Sequence, residues 1–369
     1  MSGGHLVHGM GTALEAPTWP AITWAEAEAV LARFPAAGRL IDLNWHSPRP
    51  FSAAALIETD RSVLFLKRHH QRLRSLSALA EEHGYMAHLR AGGLSVPQVM
   101  AAADGSGAIA LGEWTYELHR AAPGIDVYRD RQSWTPFLTP GHAQAAGVAL
   151  ARLHRAAQGY AAPARGDHPL VASFTILPAH DPLAAAEAYV AARPALADWL
   201  ADKNWRQELA RLFATLGDDV PDQSPLWTHN DWHPSNLLWT DDSRVASIID
   251  FGLATRTCAL HDLATAIERT AFRWLELGKE AALGDVGAGL AMLEGYRTML
   301  PVDVDALVRL LPLVHIEFAL SEIDYFAGIV GDADQAAVAW QDYLIGHADW
   351  FLSAAGQDFL RRFKCEAMA

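Results

Sequence analysis

The sequence predicts an α+β chain in two lobes: an N-terminal five-stranded antiparallel sheet with one main helix, then a mostly helical C-terminal lobe. Three observations carry this. Strand-like apolar runs crowd between residues 36 and 119, one long helical pattern interrupts them, and past about Pro123 Ala/Leu-rich helical periodicity takes over.

In order along the chain, Thr23-Trp24-Ala25-Glu26 is a capping-box pattern before an apolar-periodic segment ending near Phe34-Pro35, so the chain opens with a short helix. Gly38 to Leu43, Phe51 to Glu58 and Ser62 to Lys67 read as strands, with Thr59-Asp60-Arg61 as the turn between the last two. Leu73 to Ala91 is helical and stops at Gly92-Gly93. Ala108 to Leu111 and Trp114 to Leu118, separated by Gly112-Glu113, make a hairpin. Helical periodicity then marks Gly141 to Ala157, Pro182 to Leu200, Trp205 to Leu216, His261 to Leu277, Ala281 to Leu300, Val304 to Gly328 and Asp334 to Phe351. Between them Ala161 to Asp181 is an irregular, Pro-containing insertion.

At 369 residues and 51% hydrophobic, the chain can bury a large core. Its 29 Lys and Arg against 43 Asp and Glu give a formal charge of −14, which argues against a nucleic-acid binder. An acidic surface fits a cationic substrate only weakly, since such surfaces commonly serve solubility alone. No apolar run approaches the roughly 18 to 20 residues that cross a bilayer, and MSGGHLVHGMGTALEAP lacks a basic-then-apolar signal pattern. The expectation is a cytoplasmic protein without a membrane partner. Cys258 and Cys365 are too few and too far apart for a disulfide framework or a four-ligand zinc site. Oligomeric state is not readable.

The richest stretch is Thr228 to Trp239, THNDWHPSNLLW, followed by IIDFGLA from Ile248 to Ala254. Leu237-Leu238-Trp239 and Val245 to Ile249 read as short strands joined by a turn at Thr240-Asp241-Asp242-Ser243. Such a hairpin brings Asp231 and Asn236, just before it, to the same end as Asp250, just after it. One carboxylate there can receive a hydroxyl proton while an amide and a second carboxylate hold magnesium, the minimum equipment for phosphoryl transfer from ATP. A rival within the same residues is a His229-x-x-x-His233 metal pair completed by Asp231, although a loop containing Pro234 does not put that spacing on one helical face.

With these residues in this order, the chain resembles the aminoglycoside phosphotransferase family, which includes choline and homoserine kinases and is related to the protein kinases. The family's His-Gly-Asp-x-x-x-x-Asn is matched by His229-Asn230-Asp231-Trp232-His233-Pro234-Ser235-Asn236, with Asn in place of Gly. Ile249-Asp250-Phe251, Asp262-Leu263-Ala264 and the upstream Gly147-Val148-Ala149-Leu150-Ala151-Arg152-Leu153-His154 match further motifs, so the likeness spans roughly residues 36 to 330. It implies a protein-kinase-like two-lobe fold: an N-terminal extension and helix at 1–35, a nucleotide-binding lobe at 36–119, and a helical lobe with catalytic loop and acceptor site at 120–369.

The resemblance also implies roles. Asp231 accepts the proton of the acceptor hydroxyl, Asn236 and Asp250 bind Mg²⁺, and His229 orients the loop. Lys67 stands where these kinases hold the α and β phosphates, with Glu82 rather than Glu81 as its helical partner, since Glu82 precedes Val96-Pro97 by the family's customary offset. Glu117 to His119 falls where the interlobe hinge offers backbone groups to adenine. Asn44 to Pro50, between the first two strands, contains no glycine, which speaks against a protein kinase with its Gly-rich loop.

For the acceptor, Trp232 and His233 stand next to the base. Glu317, Ser321 and Asp324 share one helical face at spacings of four and three, and would receive amino groups, or else form a solvated face or an internal salt-bridge network. The expected activity is transfer of the γ-phosphoryl of ATP, with Mg²⁺, to a hydroxyl of a small amine-bearing molecule such as an aminoglycoside, homoserine or a choline-like compound. A protein serine/threonine kinase and a catalytically silent kinase-like binding protein are the alternatives.

Overall fold

Residues 5–11, 13–166, 168–171, 174–214, 223–278 and 283–369 are described by the structure, a computed structural model of the chain. Two compact units emerge, Met1–Gly124 with Ser247–Ile249, and Ile125–Ala246 with Asp250–Ala369.

In the first unit the short strands β1 (Val7–His8) and β2 (Leu14–Glu15) pair ahead of α1 (Trp24–Leu31). The capping box forms: the Thr23 hydroxyl accepts from the Glu26 amide and the Glu26 carboxylate accepts from the Thr23 amide. The sheet contains β3 (Leu40–His46), β4 (Ala53–Thr59), β5 (Val63–His70), β6 (Gln98–Val99), β7 (Ala108–Leu111) and β8 (Trp114–Arg120). Its order is β3-β4-β5-β8-β6 with β7 also on β8, and every pairing is antiparallel. All five expected strands are present. The sixth, β6, has two residues, too few to show a period of two in sequence.

Alternation along β5 and β8 separates two faces. Leu64, Leu66, Tyr116 and Leu118 join Val30, Leu31 and Phe34 in one hydrophobic core, so the segment expected as an extension, 1–35, supplies the cover for this face. Lys67 stands opposite Glu117 in the ladder, and His69 and His119 alternate onto the same, other face. Helix α2 (Leu76–Ala91) is capped by Ser75 and meets that face through His83, whose Nε2 lies 2.7 Å from Glu117 Oε2.

The second unit is built from α3 (Pro140–Ala156), α4 (Pro182–Ala191), α5 (Pro194–Leu200), α6 (Trp205–Phe213), α7 (Ala259–Thr270), α8 (Val286–Arg297), α9 (Val304–Leu310), α10 (His315–Asp324), α11 (Ala333–Val338), α12 (His347–Leu352) and α13 (Ala354–Met368). Several expected helices are subdivided. Pro194 starts α5 afresh because it lacks the N–H that would continue α4, and the Val304 to Gly328 pattern splits into α9, α10 and a π-helical turn at Tyr325–Val330. The expected ends of α6 at Leu216 and the start of α8 at Ala281 lie outside the described residues. Helix α13 escaped the periodicity reading and begins where Ser353 accepts the Gly356 amide.

Glycine explains how closely α3 and α8 pack. A Cβ on Gly147 would stand 2.0 Å from the Met292 carbonyl oxygen, and one on Gly295 would stand 2.0 Å from that of Gln144. Only glycine allows this approach, which fixes His154 at the far end of α3. Two small sheets follow: β9 (Pro225–Thr228) pairs with β12 (Thr255–Cys258), and β10 (Leu237–Trp239) with β11 (Val245–Ile248), the expected hairpin. No described helix is long and apolar enough to cross a membrane.

Candidate active site

The loop after β9 is held from behind by one carboxylate. Asp262, in the first turn of α7 and fully buried, accepts the backbone N–H groups of His229 at 2.9 Å and Asn230 at 2.8 Å, and lies 3.0 Å from His154 Nε2. Burial opposes its ionisation, but the contacts with His154 and His229 outweigh that and hold its pKa below the ordinary value. His154 is fixed in turn through Nδ1, 2.8 Å from the Tyr296 hydroxyl on α8. The Gly-x-x-Leu-Ala-x-Leu-His and Asp-Leu-Ala motifs thus act together as a brace for this loop.

Asn230 has φ +59°, the left-handed region in which glycine is free of strain and asparagine is the best tolerated substitute. Its side chain adds anchors, accepting from the Thr228 hydroxyl at 3.0 Å and the Thr257 hydroxyl at 3.2 Å. Asp250 also has positive φ, +58°, and its Oδ1 accepts from Gly252 N–H at 3.4 Å. Two tight reversals therefore shape the loop ends that carry the two aspartates.

Asp231 is surrounded by cations and donors. Asn236 donates Nδ2 to its backbone carbonyl at 2.9 Å and to Oδ2 at 3.0 Å, Arg269 donates to Oδ1, and His233 Nε2 lies 3.5 Å from Oδ2. Burial works to raise its pKa, yet His233, Arg269 and His229 prevail and keep it well below the usual carboxylate range. Asp231 is thus an ionised carboxylate. With its amide nitrogen engaged there, Asn236 keeps Oδ1 for another ligand. That oxygen and the Asp250 carboxylate are hard donors of the kind Mg²⁺ takes.

The residues expected to meet the acceptor have other surroundings. Trp232 is fully buried with its ring edge-on to His229, so it packs the loop instead of lining an acceptor surface. His233 is buried too, with Nδ1 2.9 Å from the Ser235 hydroxyl, and reaches Asp231 itself. Glu317 receives the Thr175 and Ile176 amides and the Thr175 hydroxyl, Ser321 donates to the Phe318 carbonyl in its own helix, and Asp324 faces Arg193 and the Leu196 backbone. The Glu317, Ser321, Asp324 face is therefore spent on internal contacts instead of receiving amino groups.

Glu322, on the same helix, has no signal in the sequence. It is fully buried, neither carboxylate oxygen has a hydrogen-bond partner, and burial raises its pKa to about 8 against the pull of Arg269. Asp231 pushes in the same direction as burial. A cavity beside it is lined by Trp134, Glu268, Arg269, Phe318 and Tyr343 as well. The Arg269 guanidinium lies beside an edge-to-face pair of rings, 5.2 Å from the centre of Trp134 and 4.8 Å from that of Phe318. Arg269 was legible in principle, since it follows Asp262 by seven residues, two helical turns, and shares its face.

In the first unit Lys67 is 8% exposed on β5 and Glu82 is buried on α2, whereas Glu81 faces solvent. Glu117 and His119 lie inside β8 with neighbours on both sides, Lys67 and Ala108 for Glu117, Phe65 and Val99 for His119. Their backbone groups serve the ladder, and this corrects the expectation that they meet adenine. The Ala121 amide still donates to the Val63 carbonyl of β5 at 3.4 Å, so backbone free of the sheet begins beyond Ala121.

Comparison with known proteins follows the same lines. A family model described as the phosphotransferase enzyme family matches residues 51–301. A homoserine kinase of Xanthobacter autotrophicus is 26% identical over 309 residues, 81% of this chain and 85% of that one. A microcompartment-associated aminopropanol kinase has a TM-score of 0.57 at 20% identity, covering 90% of this chain and 99% of its own. Amicoumacin kinase, solved with AMP-PNP, Ca²⁺ and its ligand, has a TM-score of 0.55 at 16% identity, covering 93% and 92%. At such identities the solved structures speak for the fold, the protein-kinase-like α+β architecture.

Proposed function

The chain belongs to the phosphotransferase enzyme family, a small-molecule kinase by that membership, and on this premise we propose that it transfers the γ-phosphoryl of ATP to a hydroxyl of an amine-bearing acceptor. The observation that carries the proposal is Asp231, ionised on a loop braced by Asp262, with Asn236 bonded to it and Asp250 at the next reversal.

In this reading Asp231 orients the acceptor hydroxyl and takes its proton as the new oxygen–phosphorus bond forms. A carboxylate with a depressed pKa is a weak base, so orientation is its main contribution before the transition state. Mg²⁺, when bound, neutralises charge on the phosphate oxygens, and Asn236 and Asp250 would hold it. Lys67 would hold the α and β phosphates, with Glu82 as its partner. Main chain beyond Ala121 would meet adenine.

The acceptor's amine is supported by Glu322. A buried carboxyl without a partner is costly, and an ammonium group would relieve it while Trp134, Phe318 and Tyr343 supply aromatic faces for a cation. Arg269 would then yield part of that space as the ligand enters. A panel of amino alcohols, amino sugars and their deaminated analogues, assayed for ADP release with wild type and Asp231→Ala, tests this. Transfer should require both the amine and Asp231, and transfer by Asp231→Ala would refute the mechanism.

A further inference from the structure

Two clusters outside the catalytic loop, among the described residues, bring three metal-ligating side chains together with donor atoms within 4.8 Å of one another. One is Glu268, His315 and His347 in the second unit, and the other is His83, Glu117 and His119 in the first. The former is a poor cation site: the Arg269 guanidinium lines the same cavity and its charge acts on both Glu268 and His347, and burial raises Glu268 to about 7, which weakens it as an anionic ligand.

The latter is organised about an anion. Glu117, fully buried, has His83 Nε2 at 2.7 Å and His119 Nε2 at 2.9 Å from Oε2, while His69 Nε2 lies 3.0 Å from Oε1. Burial opposes ionisation of Glu117, but the three imidazoles outweigh it and keep it well below the usual carboxylate range. Rings from α2, β5 and β8 thus turn the same nitrogen to one ionised carboxylate.

We propose that His83, Glu117 and His119 bind a divalent first-row transition ion, with zinc as the probe, and that His69 orients the carboxylate from its other oxygen. Two imidazoles and a carboxylate are ligands suited to such an ion. Metal–ligand bonds of about 2.0–2.1 Å give tetrahedral edges of about 3.3 Å, so the His83 and His119 nitrogens, now 2.7 and 2.9 Å from Glu117 Oε2 and within 4.8 Å of each other, would have to withdraw from that oxygen by about half an ångström. His69 then plays the part of the outer partner that fixes a ligating carboxylate. The proton on each ligating Nε2 moves to Nδ1 as the ring turns from donor to ligand. The His83 side chain, 11% exposed, lies at the solvent side and offers the entry path and the open fourth position. The ion would clip α2 to β8, and so fix the helix turn that carries Glu82. None of its ligands is a side chain assigned to phosphoryl transfer, while Lys67 stands opposite Glu117 in the ladder and Glu82 precedes His83 on α2.

The test uses the full chain, stripped by a chelator and dialysed against Zn²⁺ in excess Mg²⁺, with metal content measured by mass spectrometry. About one ion per chain is expected, a Co²⁺-loaded sample should show the visible absorption of a low-coordinate nitrogen and oxygen site, and Zn²⁺ should raise the melting temperature. His83→Gln and His119→Gln should each weaken the ion by about 100-fold or more, while His347→Gln should leave it in place. His83 is the least buried of the three ligands, and far-UV circular dichroism checks that its variant keeps the fold. The Co²⁺ spectrum of the wild type is independent of any variant's folding. Absence of a bound ion in the wild type overturns the proposal, as does retention by both His83→Gln and His119→Gln, or loss on His347→Gln.

Discussion

Asp262 accepts the backbone N–H of Asn230 at 2.8 Å from a fully buried position in the first turn of α7. The same carboxylate takes the His229 amide and meets His154, so one side chain satisfies two amides that the loop's reversal would otherwise bury unpaired. Asp262→Asn keeps the shape but offers one acceptor oxygen in place of two. A loss of about 2–4 kcal/mol in stability is expected, since hydrogen bonds to a buried charge are the ones costly to break. Turnover should fall at least about 100-fold with little change in the KM for ATP, because the defect misplaces Asp231. Denaturant unfolding and steady-state kinetics on one preparation check both, and a stable variant with wild-type kcat would count against the brace.

At Asn230 the left-handed φ, +59°, predicts an ordering of variants. Asn230→Gly removes contacts to Thr228 and Thr257 but relieves strain, and should hold kcat within about threefold. Asn230→Val has neither benefit and should destabilise by about 1–2 kcal/mol beyond the glycine variant, as expected for a β-branched residue forced to positive φ. Melting temperatures and kcat for the pair decide it. Equal values for Gly and Val would mean the backbone has another way to turn there.

Arg269 donates to Asp231 and helps depress its pKa, after burial and His233 have made their opposing contributions. Arg269→Met keeps an aliphatic stem beside Trp134 and Phe318 and removes the charge. The pKa of Asp231 should rise, so the acid limb of the kcat profile should move to higher pH by about one unit. An unmoved limb would show that the guanidinium does not bear on the reacting carboxylate.

Much of this was legible in the chain. Regular periodicity marked β3 to β5, α2 and the β7 and β8 hairpin, and the spacing of His229, Asp231, Asn236 and Asp250 marked the loop ends. What escaped was set by tertiary position. Short strands such as β6 and β9 have no period to read, and helical spacing on α10 gave Glu317, Ser321 and Asp324 one face without saying that Thr175, Phe318 and Arg193 would consume it. Glu322 looks in sequence like any acidic helix residue, and only its burial without a partner sets it apart. Asn230 is the reverse case: a departure from the family's glycine that local backbone chemistry accounts for, since asparagine tolerates the same conformation.

Glu322 is also where pH should speak most directly about the acceptor. Its folded pKa, about 8, exceeds the value near 4.3 of an unfolded glutamate. The folded protein therefore binds the extra proton between those values, so this carboxyl's contribution to stability is fully present below about pH 4.3 and is lost as pH rises through 8. The difference in melting temperature between wild type and Glu322→Gln should follow that course, the wild type losing ground as pH climbs. Binding of an ammonium acceptor favours the ionised carboxylate and expels the proton, so acceptor KM should fall with rising pH up to about 8, by as much as tenfold per unit. Glu322→Gln should raise acceptor KM about 10- to 100-fold at pH 8, leave the KM for ATP nearly unchanged, and flatten this dependence. A deaminated acceptor that behaves identically on both proteins, together with an amine acceptor whose KM ignores both pH and the substitution, would place the acceptor's cation elsewhere while leaving the role of Asp231 intact.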